Sequence, residues 1–306
     1  MNLRKPKNSV IFKKFLGLLV GFAGIFYVIS SISLEETIGI LENTDLMFLG
    51  LSFVVLGFVY FLMGLRWRRI LSEKNVSISM WAGFRQIVES DFVNSFAPVR
   101  AGDIYRGLIA SNSNKNGLDT SIMVLMERVI DVVVISFLFI ILLLFSSPNN
   151  TIIYPVGAMG LIVSGLIGLK LIYEIEELPI SSLNSIYSKF RLAVVKNFRT
   201  ENKLYLFSLT GVIWILGVLR TFTVFKALDI GLSFALVGLI TFVWALVAVV
   251  PLTPSGIGTT DATIFFLLSQ FEISQSSSAA FVLLNRVVLQ GLPIIIGSIF
   301  YLERRK

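Results

Sequence analysis

Of 306 residues, 55% are hydrophobic and only 15% charged, with a mean hydropathy of +0.84, a balance that excludes a water-soluble surface and marks an integral membrane protein. There is no Cys and no His, which removes thiol nucleophiles, disulfides, imidazole bases and the commonest zinc and haem ligands, and makes non-enzymatic work the expectation. The net charge of +7 would suggest nucleic acid on a soluble protein; here it is topology and attraction to anionic lipid heads, and no nucleic-acid partner is expected.

Arg4, Lys5, Lys7, Lys13 and Lys14 precede the first apolar run, residues 15–33, whose length and lack of a small-residue cleavage site favour a retained signal anchor with a cytoplasmic N-terminus. Residues 34–45 carry Glu35, Glu36, Glu42 and Asp45 with no Lys or Arg, so they belong outside. A second span, 46–65, is followed inside by Arg66, Arg68, Arg69 and Lys74. Residues 77–110 are apolar in part and broken by Pro98-Val99-Arg100-Ala101-Gly102-Asp103, which predicts a re-entrant hairpin of two half-helices. Spans at 129–145 and 152–173 enclose an uncharged outer segment, 146–151. Across 178–203, Ile186, Phe190, Val194 and Phe198 recur at spacing four among basic residues, predicting an interfacial amphipathic helix, with a solvated cytoplasmic linker as the ordinary alternative. A span at 204–225 leads to a second broken stretch, 232–271, and a last span, 279–302, ends at Arg304, Arg305 and Lys306 in the cytoplasm.

Two breaks, each followed by an apolar helix carrying an Arg, make the chain repetitive. Pro98 and Pro254 are 156 residues apart, and Arg128 in VLMERV and Arg286 in VLLNRV are 158 apart. The second span runs inward and its counterpart at 204–225 runs outward, so the halves, about 1–150 and 151–306, have opposite orientation. The expected fold is an all-α membrane domain, 1–306, of two inverted-topology repeats: six full spans plus two re-entrant hairpins, with both termini cytoplasmic. A rival parse counts 234–250 and 264–271 as short spans, giving eight.

Backbone breaks in hydrocarbon survive only when buried in protein or lining a wet cavity, so the breaks imply a cavity. In the first copy Pro98 ends a half-helix and Gly102 permits a tight turn, leaving free N–H groups around Asp103 that attract anions, with Arg100 and Arg106 beside them. Snorkelling of both Arg residues to lipid heads is the ordinary explanation. In the second copy Pro251, Pro254, Gly256 and Gly258 precede Thr259, Thr260 and Asp261; no Lys follows the glycines, which excludes a P-loop, and close helix packing is the ordinary explanation. Glu127, Arg128 and Asp131 are placed at the inner end of the third span, and Arg286 lies within an apolar run. An unpaired Arg at the centre of a membrane helix costs about 2.5–3.5 kcal/mol on insertion scales, so it faces partners or water inside the bundle. Structural ion pairs of Arg286 with Asp261, or of Arg128 with Asp103 or Asp131, are the competing role.

NSFAPVRAGDIYRG, MERVID, PLTPSGIGTTD and LLNRV, in that order over essentially the whole chain, resemble the flippase-like membrane domain of the lysylphosphatidylglycerol synthase family, the UPF0104 or YbhN-like group. The resemblance implies functional weight on Asn94, Pro98, Arg100, Gly102, Asp103, Arg106, Glu127, Arg128, Asp131, Pro254, Gly256, Gly258, Asp261 and Arg286. Asp103 and Asp261 stand where the family often has Glu, keeping the charge and shortening its reach. Members that make aminoacylated lipid carry a C-terminal synthase domain using charged tRNA, whereas this chain ends at Lys306, so the expectation is the transport half without synthase activity. A phospholipid or polyprenyl-linked lipid would move between leaflets of the cytoplasmic membrane, flippase- or scramblase-like, with no cofactor and no metal. Glu127, Asp131 and Asp261 are the proton carriers if a gradient drives it. Two other classes stay open: a lipid-phosphate enzyme using Asp103, Glu127 or Asp261 as base, and a non-transporting partner of a glycosyltransferase or lipid-modifying enzyme. A homo-oligomer is also left open.

Overall fold

The computed structural model describes residues 33–73, 75–97, 100–111, 117–145, 203–249 and 256–305, and among them all regular structure is helical. The expected span at 152–173 lies outside the described residues, as do the span at 15–33 and the helix at 178–203 apart from Ser33 and Lys203, and Pro98, Pro251 and Pro254.

Helix α1, Leu34–Glu42, replaces the expected acidic outer loop, because the Ser33 hydroxyl accepts the Glu36 N–H and Glu35 and Glu36 sit at the positive end of the helix dipole. Asp45 caps α2, Leu46–Ser72, by accepting from Met47 and Phe48 N–H. Ser79 caps α3, Met80–Phe96, and a short break leads to α4, Ala101–Ala110, and α5, Gly117–Phe145. The second half repeats the order with α6, Lys203–Ala227, α7, Phe234–Val249, α8, Thr259–Ser269, and α9, Gln275–Leu292. A π-helical turn at Pro293–Gly297 joins α9 to α10, Ser298–Arg304. It absorbs the ring and the missing N–H that proline brings into a helix.

Helix α5 starts twelve residues before the apolar run that suggested it, so Glu127, Arg128 and Asp131 stand near mid-helix. A charged residue lowers hydropathy without breaking a helix, which is why the run alone misplaced the start. Similarly, α2 continues through Arg66, expected in a cytoplasmic loop, to Ser72.

Among the described residues, three helical stretches are long and apolar enough to cross a membrane: Leu46–Ser72, Leu204–Ala227 and Gln275–Arg304. The paired short helices α3 and α7 have 17 and 16 residues, and α4 and α8 have 10 and 11. At 1.5 Å per residue these reach about 25 Å and about 16 Å, below the roughly 30 Å of hydrocarbon. Each broken stretch therefore holds two helices shorter than a full crossing, half-helices in length.

The corresponding long helices α2 and α6 lie along one another and run antiparallel. Asp45 N–H at the start of α2 bonds the Ala227 carbonyl at the end of α6 (2.8 Å), while Arg66 near the end of α2 reaches Thr210 near the start of α6 (3.1 Å). Each first half-helix also packs on the last long helix of the other half: α3 on the π-turn, where Gly297 meets Val88 and Phe92, and α7 on α5, where Gly238 meets Leu142. At the α3 end, fully buried Glu89 accepts from Arg85 (2.7 Å) and Arg304 (2.8 Å), tying α10 down. Leu51, Val54, Phe58 and Phe61 form an exposed apolar stripe on α2, suited to lipid.

Where α2 crosses α3, Gly64 and Gly83 face each other backbone to backbone; a Cβ on Gly64 would lie 2.6 Å from the Phe84 nitrogen. Gly64→Val is expected to cost about 1–3 kcal/mol, read as a lowered Tm in detergent. Gly50→Val, where a Cβ meets nothing within 4 Å, leaves Tm near wild type.

Candidate functional site

At the first break, Asn94 in the last turn of α3 accepts the Gly102 N–H on Oδ1 (2.9 Å) and donates from Nδ2 to Asp103 (3.2 Å). A side chain at residue 102 would overlap the Ser90 carbonyl and crowd Asn94 Oδ1 (2.7 Å), so only glycine lets α4 start this close to α3. Asp103 then receives Arg128 from α5 (2.8 Å). Arg100 holds the N-cap of α4 in the left-handed region (φ 51°) and, among the described residues, has no carboxylate in ion-pair contact.

At the second break, Gly256 (φ 70°) and Gly258 (φ 83°) supply the left-handed backbone that a tight turn needs. Asp261 accepts the Gly258 N–H (2.9 Å), capping α8, and takes Arg286 from α9 through two bonds of 2.8 Å. The pairs correspond: Asp261 and Arg286 lie 158 residues beyond Asp103 and Arg128, and each Arg follows its Asp by 25. Both pairs are partly open, the Arg side chains 27% and 20% exposed.

They meet at a cavity of about 260 Å³. Arg100, Arg128 and Asp131 line it from the first half, and Thr260, Asp261 and Arg286 from the second. Asn94 and Gly256 also face it, while Asp103 stands behind Arg128. Arg106 and Glu127, expected at the site, are elsewhere: both are 2% exposed and paired with each other where α4 meets α5, with Arg106 stacked over Trp67 (4.3 Å). They hold the wall. Glu127 also faces Arg66 (3.7 Å), which donates to Asp131 (2.6 Å), and Trp214 donates to the same carboxylate (3.0 Å).

Sequence reasoning passed over Tyr60, Arg66, Asp91 and Arg220. Tyr60 donates to Asp91 (2.9 Å), and both line the cavity. Arg220, in the middle of α6, carried the same signal as Arg286, a cation in an apolar run, but had no Pro/Gly break nearby to draw notice. The arrangement offers guanidinium forks and hydroxyls to a phosphate-like anion. Among the described residues, no three potential metal ligands converge.

The sequence matches the family described as the lysylphosphatidylglycerol synthase TM region over residues 14–297. A UPF0104 membrane protein of Methanocaldococcus jannaschii is 27% identical over 98% of this chain and 95% of its own length. One from Pyrococcus horikoshii is 20% identical over 96% and 98%, and another from M. jannaschii 28% identical over 70% and 95%. With the match extending from before α1 into the π-turn and including both breaks and both Arg helices, the chain belongs to the family of the lysylphosphatidylglycerol synthase membrane region.

Proposed function

We propose that this membrane protein moves a phospholipid or a lipid-linked sugar between leaflets, passing the headgroup through the Arg-lined cavity while the acyl chains stay in the bilayer. The supporting observation is that one cavity receives one corresponding Asp–Arg pair from each half of the chain. Its volume suits a headgroup and not a whole lipid. A headgroup resists crossing hydrocarbon because its charge loses water. A phosphate can take an Arg over from its Asp, so hydration is replaced before it is lost.

The antiparallel α2 and α6 support inverted repeats, 1–150 and 151–306, with hairpins entering from opposite faces of the cell membrane. In this reading the chain makes and breaks no covalent bond, and partner binding is not its main task.

The test is exchange of fluorescent phospholipids between leaflets of liposomes carrying the protein. Wild type is expected to exchange them, and Arg100→Gln to slow exchange about tenfold, one lost charge-assisted bond, with Tm unchanged. No exchange for any headgroup, polyprenyl phosphate included, would overturn the transport reading in favour of a scaffold for another lipid enzyme.

A further inference from the structure

The charges that line the cavity balance, three Arg against three Asp, but among the described residues the network that includes the buried layer behind them does not. In the first half, Arg66, Arg100, Arg106 and Arg128 stand with Asp91, Asp103, Glu127 and Asp131. In the second, among the described residues, Arg220 and Arg286 have Asp261 alone. Assigning Asp91 to Arg100 or, through Tyr60, to Arg220 changes which guanidinium is left over, not that one is.

Comparison of the halves locates the excess. Arg66 on α2 faces Glu127 and Asp131 on α5. Arg220 on α6, four residues before the matching position, faces α9, where the counterpart of Glu127, again 158 residues on, is Asn285. Arg220 donates to Asn285 Oδ1 (2.5 Å) and Thr221 Oγ1 (2.8 Å), both neutral, and is 4% exposed. Its ionisable neighbour is the Tyr60 phenol, not a carboxylate. Asn285 lines the cavity, so a guanidinium with no carboxylate in contact among the described residues is one side chain from the open space.

A buried cation away from water needs a counter-ion. From this we infer that the cavity takes a headgroup of net negative charge, a phosphate-bearing anion, in preference to a zwitterionic or neutral one, and that the Arg220–Asn285 contact sets that preference. The inference rests on the transport reading only for the occupant being a lipid. Asn285→Asp places the missing carboxylate on Arg220 with almost no change of shape, supplying from the protein the charge that the cargo otherwise brings.

The experiment measures Tm of the purified protein in detergent with phosphatidylglycerol, phosphatidylcholine or inorganic phosphate, for wild type and Asn285→Asp, with leaflet exchange of both lipids run in parallel. Phosphatidylglycerol should raise wild-type Tm and phosphatidylcholine should not. Asn285→Asp should have the higher lipid-free Tm and lose the phosphatidylglycerol shift, although every surface Lys and Arg is retained. Equal shifts for the two lipids, or a variant that keeps the full shift, would overturn the assignment, as would a shift with inorganic phosphate and none with lipid. Selective Tm shifts without leaflet exchange would sink the transport reading and leave the anion site standing. Exchange at equal rates without selectivity in Tm would do the reverse.

Discussion

Glu127→Leu is expected to destabilise the protein by about 3–5 kcal/mol, because it leaves the Arg106 guanidinium buried without its carboxylate. Both side chains are 2% exposed, and among the described residues Arg106 has no other carboxylate in ion-pair contact, with the face of Trp67 beside it. Arg66, by contrast, retains Asp131 and Thr210. Adding Arg106→Met to Glu127→Leu should recover most of the loss, since an apolar pair of similar size avoids the desolvation that the ion pair must overcome. Unfolding of the two variants in mild detergent measures the effect. The double variant should also retain leaflet exchange, because neither residue lines the cavity. A double variant as unstable as the single would mean that the pair is held by neighbours other than each other.

The long apolar helices were legible because a membrane span writes its length directly into hydropathy. Helices α2, α6 and α9 therefore appeared close to their true positions. The half-helices appeared because Pro and Gly mark places where a ladder of backbone bonds cannot continue. What hydropathy cannot give is the extent of a helix through polar sequence. Residues 117–128 continue α5, and α1 forms over an acidic stretch once Ser33 caps it.

The candidate site was legible where charge conflicts with its surroundings. Arg286 in an apolar run had to find a partner, and Asp261 was among the partners expected. Arg66 escaped notice because Arg68 and Arg69 follow it closely and the three resemble a cytoplasmic boundary. Arg106 was assigned to the anion site because it flanks the break, yet it shares the buried face of α4 with Gly102, Gly107 and Ala110. Facing is a tertiary property: spacing says which residues share a side of a helix, and only packing says what that side meets.

Because each half contributes one Asp–Arg pair, neutralising either pair should slow lipid movement and neutralising both should abolish it. The suitable variants are Asp103→Asn with Arg128→Gln, and Asp261→Asn with Arg286→Gln. Replacing Arg alone would strand an Asp that is only 13% or 16% exposed and confuse instability with loss of function. Amide pairs keep the hydrogen bonding and remove both charges together, so Tm should stay near wild type. Each station loses a charge-assisted contact to the headgroup, worth about 1.5–3 kcal/mol, or about ten- to a hundredfold in rate if made only during crossing. A single pair replacement that leaves the rate untouched would show that its half holds no station. One that abolishes exchange outright would show that the headgroup must visit both in series, whereas the expected partial loss means that either station can still carry it across the one cavity they share.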